Sequence, residues 1–348
     1  MTSRPITQLG FLTIGLFDEH DPGPGHESTL QIIELGEQLG FDSAWLRHRH
    51  LQLGISSPVA VLAAATQRTS RIQLGTAVTP LGLENPFRLA EDLATVDILS
   101  GGRLQPGISV GQPIHWDHLK DHLYPDSWET EDFTYRRIER LLHNLRGGAV
   151  STFDEVEGIE QYSARIQPHS PGLADRVWQG TAGLASAAWA GEQGLNLLTS
   201  SVVRAEEDDD FDRVQRAQID LFHDRHRLGT AARVSYGPVV IPTDSATPEQ
   251  IARYEAYAAA RLPRTFEPQG PGRILFAADL VGPSEQIAET LRAKASFQAV
   301  DEIVFALPFT FGHDDYVQIL TDLATRLGPL LGWTPSTTDG PMQGKMTV

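Results

Sequence analysis

Two imidazoles flank a guanidinium in His48-Arg49-His50, at the end of the stretch Phe41 to Arg47. A histidine pair of this spacing at a strand end can hold a metal ion, provided other strands supply further ligands. Here the later strand ends read Q-G-T-A, T-S-S and L-P-F-T-F-G, and His313 is the one further histidine near such an end. The triplet is therefore read as cationic and hydrogen-bonding groups beside an electron-rich ligand. A second group, His115, His118, His122 and Tyr124, sits in a polar stretch without a carboxylate pattern behind it. Neither group is assigned a metal.

The third constellation is Gly180-Thr181-Ala182-Gly183 with Ser186, where a strand gives way to a helix. Free N–H groups at a helix start, small residues that allow close approach and a hydroxyl one turn in would suit a phosphate. An ordinary capped helix fits the same residues. Arg136, on the preceding helix, is a candidate countercharge, and a surface arginine is the alternative.

These groups need a scaffold that brings strand ends together. Ile72 to Gly111 predicts a strand, a helix and a second strand, one unit of a parallel sheet. Asn85 caps that helix, Pro86 opens it and Ser100-Gly101-Gly102 ends it. Ligands of parallel sheets gather at the carboxyl ends of strands, here Thr76-Ala77-Val78 and Ser109-Val110-Gly111. Further strands are expected at Gln8–Leu16, Phe41–Arg47, Arg176–Gly180, Asn196–Val203, Val234–Ile241 and Asp301–Pro308. Helices are expected over Ser28–Leu39, from Pro58, over Glu129–Gly147, Asp208–Leu228, from Pro248, after Pro283 and over Asp314–Leu331. Phe17 to Glu27, with Gly23-Pro24-Gly25, reads as a loop, and Gln112 to Ser127 as a lid or substrate wall. Eight strands, most followed by a helix, predict a (β/α)8 TIM barrel with loop insertions at the strand carboxyl ends. It occupies residues 1–332, and residues 333–348 read as a disordered tail.

Composition narrows the function. The 348 residues carry no cysteine, which removes disulfides, thiolate ligands and a cysteine nucleophile. A net charge of −17 repels a phosphate backbone, so nucleic acid is not an expected partner. An anionic cofactor needs a local pocket of arginine and backbone N–H groups. The run Glu206 to Asp210 is expected to be a solvated approach to a helix. No apolar run approaches membrane-spanning length and no signal-peptide pattern opens the chain, so the expectation is a cytoplasmic protein.

The sequence G-T-A-V-T-P-L-G-L-E-N-P-F-R-L-A-E-D-L-A-T-V-D-I-L-S-G-G-R resembles the core signature of the bacterial luciferase-like flavin monooxygenases. F-D-S-A-W-L-R-H-R-H looks like that family's G-F-D-x-x-W-x-x-E-H-H strand. V-W-Q-G-T-A-G-L-A-S is similar to its phosphate loop, and L-V-G-P-S-E-Q-I-A to a late helix. The resemblance runs from about Gln8 to Leu331. It implies a (β/α)8 barrel, usually dimeric, that uses reduced FMN from a separate flavin reductase, and O2, to oxygenate a small organic substrate through a peroxyflavin. In a sister branch the cofactor is a deazaflavin used for hydride transfer. A flavin-binding protein without turnover is a third possibility.

By carry-over, the flavin ring would lie at Thr76 and Ala77, where the family often has a non-proline cis peptide, with Ser109 on the neighbouring strand end. The phosphate would meet Thr181, Ala182, Gly183, Ser186 and Arg136. His50 matches the second histidine of E-H-H, while Arg49 stands where luciferases place a catalytic histidine. His50 and Arg49 are thus the residues expected to handle the peroxide or a proton. Gly107-Ile108-Ser109-Val110-Gly111 departs from the family's G-x-G-R-G and lacks its phosphate-binding arginine.

Overall fold

The computed structural model describes residues 5–336. A ten-stranded, all-parallel sheet forms its centre. In chain order its strands are β1 (Gln8–Thr13), β2 (Ser43–Leu46), β3 (Gln73–Thr76), β4 (Thr79–Pro80), β5 (Leu104–Gln105) and β6 (Gly107–Ser109). They continue with β7 (Trp178–Gly180), β8 (Asn196–Leu198), β9 (Val234–Tyr236) and β10 (Glu302–Ala306). The sheet order is β4-β6-β7-β8-β9-β10-β1-β2-β3-β5. Its two ends share chain: Ala77 and Val78 alone separate β3 from β4, and Pro106 alone separates β5 from β6. Thus β3 pairs with β5 at one end while β4 pairs with β6 at the other, and the sheet curls.

Helices lie between the strands: α1 (Gly23–Gln38), α2 (Pro58–Thr66), α3 (Pro86–Leu99), α4 (Trp116–Leu123), α5 (Tyr135–Leu145) and α6 (Leu184–Gln193). Then come α7 (Phe211–Arg225), α8 (Pro248–Arg261), α9 (Ser284–Arg292) and α10 (His313–Asp322). The start of α3 is as expected, with Asn85 Oδ1 accepting from the Phe87 and Arg88 N–H groups. Leu89, Ala90, Leu93, Ala94 and Val96 face the core from it. No helix among the described residues is long and apolar enough to cross a membrane.

Several expectations need correction. Gly23-Pro24-Gly25 is the first turn of α1 rather than a loop, because a proline there sacrifices no intrahelical N–H bond. The Gln112–Ser127 stretch contains α4. The Glu129–Gly147 helix starts only at Tyr135, where Thr134 caps it. Two expected strands are divided: Val202–Arg204 pairs with Ile274–Phe276, and Val240–Pro242 with Leu280–Gly282, both outside the main sheet. Residues 337–348 of the expected tail lie outside the described residues. Its first residues are packed: Trp333 is 2% exposed, and its indole N–H and the Ser336 hydroxyl both donate to the Asp42 carboxylate, at 2.8 and 2.7 Å.

Inside the curl, Trp45 and Trp178 meet edge to face with ring centroids 5.6 Å apart, and Leu198 and Val304 complete the cluster. Their N–H groups are satisfied by Ser43 Oγ and Gln105 Oε1. A Cβ on Gly75 would stand 2.2 Å from the Trp45 ring, so the glycine of L-G-T-A-V is there to let that indole lie flat. Ala77 and Val78 pack on the same cluster, which becomes the floor of the site above.

Candidate functional site

A cavity of about 630 Å³ opens over that floor. Its walls come from three strand ends: Arg47–Gln52 after β2, Ala77 and Val78 between β3 and β4, and Ser109–Gly111 after β6. Pro113 to His115 close a fourth side ahead of α4. The volume lies in the range of about 300–1,000 Å³ that houses organic ligands and cofactors. No residue that lines it is acidic.

His48 is 3% exposed and shares a hydrogen bond with His50, Nε2 to Nε2 at 2.9 Å. At that distance one ring must donate and the other accept, so a second proton between them has no room. Burial, then the neighbouring His50 and the Arg49 charge, push the His48 imidazole down to about 4. Burial also lowers His50. Glu84 Oε1 lies 3.8 Å from His48 Nε2, but burial raises that carboxyl and weakens it as a countercharge. The pair is therefore neutral near pH 7, able to relay a proton but not to carry a fixed charge.

The unfolded chain protonates His48 near 6.5, the fold only near 4, so the unfolded state binds more protons between those values. Stability falls as pH drops through that window, by up to about 3 kcal/mol from this group. His48→Gln should flatten the loss. Urea midpoints of the two proteins at pH 7.5 and 4.5 test it: an equally steep acid loss in the variant rejects the assignment.

The other expected residues divide. Arg49, His50, Ala77 and Ser109 line the cavity. The Ala77–Val78 peptide is cis, where the resemblance led one to expect it. Thr76 does not offer its side chain: buried at 1%, its Oγ1 donates to Gly107 O at 2.7 Å and accepts from Gly107 N at 3.0 Å. It stitches β3 to β6. Arg136 is exposed and lines no part of the cavity. Its neighbour Arg137 is the buried one, held by Leu81 O, Glu84 O, Glu131 and the Tyr124 hydroxyl. One helical step of about 100° separates the two directions.

The hydroxyls of the expected phosphate turn are satisfied within it. Thr181 Oγ1 lies 2.6 Å from Ser186 Oγ, and both hydroxyls reach Gly183 O. Ala182 O accepts from Arg204 N and from the Gln218 amide. Gly183 caps α6, and the first helical N–H, that of Leu184, donates to Glu206 Oε2 at 2.7 Å. The acidic run expected to be merely solvated thus places one carboxylate on the helix start where an anion was expected. The cavity at Ala77 and Ser109 has the volume for a fused-ring ligand, and an anion at the α6 start would share it with the Glu206 carboxylate. Sequence reasoning missed Arg47, Glu84 and Glu206. Arg47 was one residue from the triplet singled out, whereas nothing local links Glu206 to a turn more than twenty residues away.

A family model described as luciferase-like monooxygenase matches residues 8–301. The chain is 31% identical over 150 residues to 4-hydroxyprotoasukamycin monooxygenase of Streptomyces nodosus subsp. asukaensis, covering 42% of this chain and 39% of that protein. It is 35% identical over 128 residues to the F420-dependent glucose-6-phosphate dehydrogenase of Amycolatopsis mediterranei (strain U-32), covering 35% and 36%. These matches span less than half the length of either relative. The fold resembles the crystal structure of apo-MsnO8 with a TM-score of 0.67, at 18% identity, over 92% of this chain and 99% of that one.

Proposed function

The chain belongs to the luciferase-like monooxygenase family, and from that premise we propose that it takes up reduced FMN and O2 and oxygenates a small organic substrate. One observation carries the reading: a ligand-sized cavity beside Ala77 whose wall combines a neutral histidine pair with guanidinium groups. Reduced flavin, when bound, supplies the electrons that activate O2. Ala77 and Ser109 form the edge against which the ring rests. His50, hydrogen-bonded to the buried His48, receives or returns a proton at Nε2. Arg49 presents a positive charge to developing negative charge on the reacting oxygen. Leu83, Ile114 and Leu119 line the same cavity and keep water from it. The Thr181–Ser186 turn, with Arg136, takes the phosphate once Glu206 has swung away.

With β3–β4 and β5–β6 each read as one interrupted strand, the curled sheet is an eight-stranded (β/α)8 barrel. The α3 face, which leaves Ile98 52% and Leu99 51% exposed, is proposed as a homodimer surface. A separate reductase would deliver the reduced flavin to this cytoplasmic enzyme.

A second reading, hydride transfer with a deazaflavin, is favoured by the 35% identity over 128 residues to the F420-dependent glucose-6-phosphate dehydrogenase. Anaerobic fluorescence titrations with FMNH2 and with the reduced deazaflavin discriminate. We expect FMNH2 to bind at least about tenfold more tightly, a difference of about 1.4 kcal/mol. The reverse order transfers the assignment to the deazaflavin, and FMNH2 bound without oxygenation of any substrate tried leaves a carrier.

A further inference from the structure

Arg47 and Arg49 stand two residues apart on the chain that leaves β2, both half-buried and both lining the 630 Å³ cavity. Neither has a carboxylate at ion-pair distance among the described residues. Among the other arginines withdrawn from water, Arg137 pairs with Glu131, Arg176 with Asp97, Arg233 with Glu302 and Arg261 with Asp279, while the half-buried Arg71 and Arg103 give their guanidiniums to backbone carbonyls; Arg264 also lacks a carboxylate but lines no part of this cavity. The chain has 45 acidic residues to 28 lysines and arginines, so a wall without one acidic side chain is not what composition alone would place there.

The two guanidiniums feel each other. Burial, then the Arg49 charge, bring Arg47 down to about 10, and burial lowers Arg49 as well. Arg47 lies over the Phe309 ring, 4.8 Å from its centroid, a seat that leaves the edge of the fork free to donate. Adjacent like charges, partly desolvated and without a partner, raise the free energy of the empty cavity. An oxyanion between them removes that cost and gains paired, charge-assisted hydrogen bonds.

We propose that the substrate is an organic oxyanion, a carboxylate or sulfonate, whose charged end is gripped by Arg47 and Arg49 while its carbon chain runs over Val78 toward His50. This rests on the cavity being the substrate site of the proposed monooxygenase. The other source of the same chemistry is the cofactor's phosphate, which an arm of the test separates.

The probes are hexanoate and its neutral isostere hexanamide, titrated calorimetrically into the protein with and without bound FMN. Hexanoate should bind about tenfold or more tightly than hexanamide, as expected for a charge-assisted pair. Arg47→Gln should remove most of that preference, leaving hexanamide as it was. Equal affinity for both probes in the unmodified protein overturns the proposal, and that comparison requires no variant to fold. Hexanoate displaced by FMN, with FMN itself weakened about tenfold by Arg47→Gln, assigns the arginines to the cofactor and also overturns it. A protein that prefers hexanoate but binds no FMN would retire the flavin reading and leave the oxyanion site standing.

Discussion

Asp97→Ala costs the fold on the order of 3–5 kcal/mol, the loss expected when one partner of a buried ion pair is removed. Asp97 is fully buried on α3, and its carboxylate accepts both Nη groups of Arg176, at 2.7 and 2.8 Å. It also accepts from the Ser170 hydroxyl and from Leu104 N. Alanine leaves the Arg176 guanidinium, itself mostly withdrawn from solvent, without its anion, and orphans the Leu104 N–H at the start of β5. Asp97→Asn keeps the shape and loses the charge, so its cost should be about half as large. Urea denaturation measures both, and an alanine variant within about 1 kcal/mol of the parent sinks the account. The effect reaches the site, because this network ties α3, β5 and the approach to β7 around the strand that ends in Ser109.

Glu206→Gln should act in opposite directions on affinity and stability. Its carboxylate sits on the α6 start, where it satisfies the Leu184 N–H and complements the helix dipole. Neutralising it costs the free protein about 0.5–1 kcal/mol. An FMN phosphate brought to the same N–H groups faces that exposed carboxylate at close range, a repulsion of about 1 kcal/mol even with water-like screening. FMN affinity should therefore rise about fivefold in the variant, as read by flavin fluorescence quenching. Unchanged affinity together with lower stability would mean that the phosphate binds elsewhere and that Glu206 is only a cap.

These two residues mark the limits of what was legible beforehand. Asp97 stands in a recognisable register, A-E-D-L-A-T-V-D, yet its partner Arg176 is far along the chain and no periodicity joins them. Strand and helix order was readable because burial imposes a period on each element, and the Asn85-Pro86 start carries its own chemistry. Proline at the first turn of α1 and in a loop look alike locally, which is why Gly23-Pro24-Gly25 misled. The small sheets joining Val202–Arg204 to Ile274–Phe276 depend on long-range register that local pattern does not encode. That His50, Arg49, Ala77 and Ser109 line one cavity was legible from their places at strand ends. The directions of Thr76 and Arg136 were not legible, because they depend on neighbours: the Thr76 hydroxyl turns to Gly107, and Arg136 faces solvent.

The cavity with no acidic lining belongs to a molecule of net charge −17, and the two facts act on different length scales. Far from the surface an approaching anion meets the whole molecule's repulsion, which salt screens over about 8–10 Å at physiological ionic strength. Inside the mouth the guanidiniums act at contact range and behind low-dielectric walls, where salt screens little. Dilute buffer therefore slows the encounter and leaves the grip unchanged, so capture of an anion quickens as salt is added, the reverse of electrostatic steering.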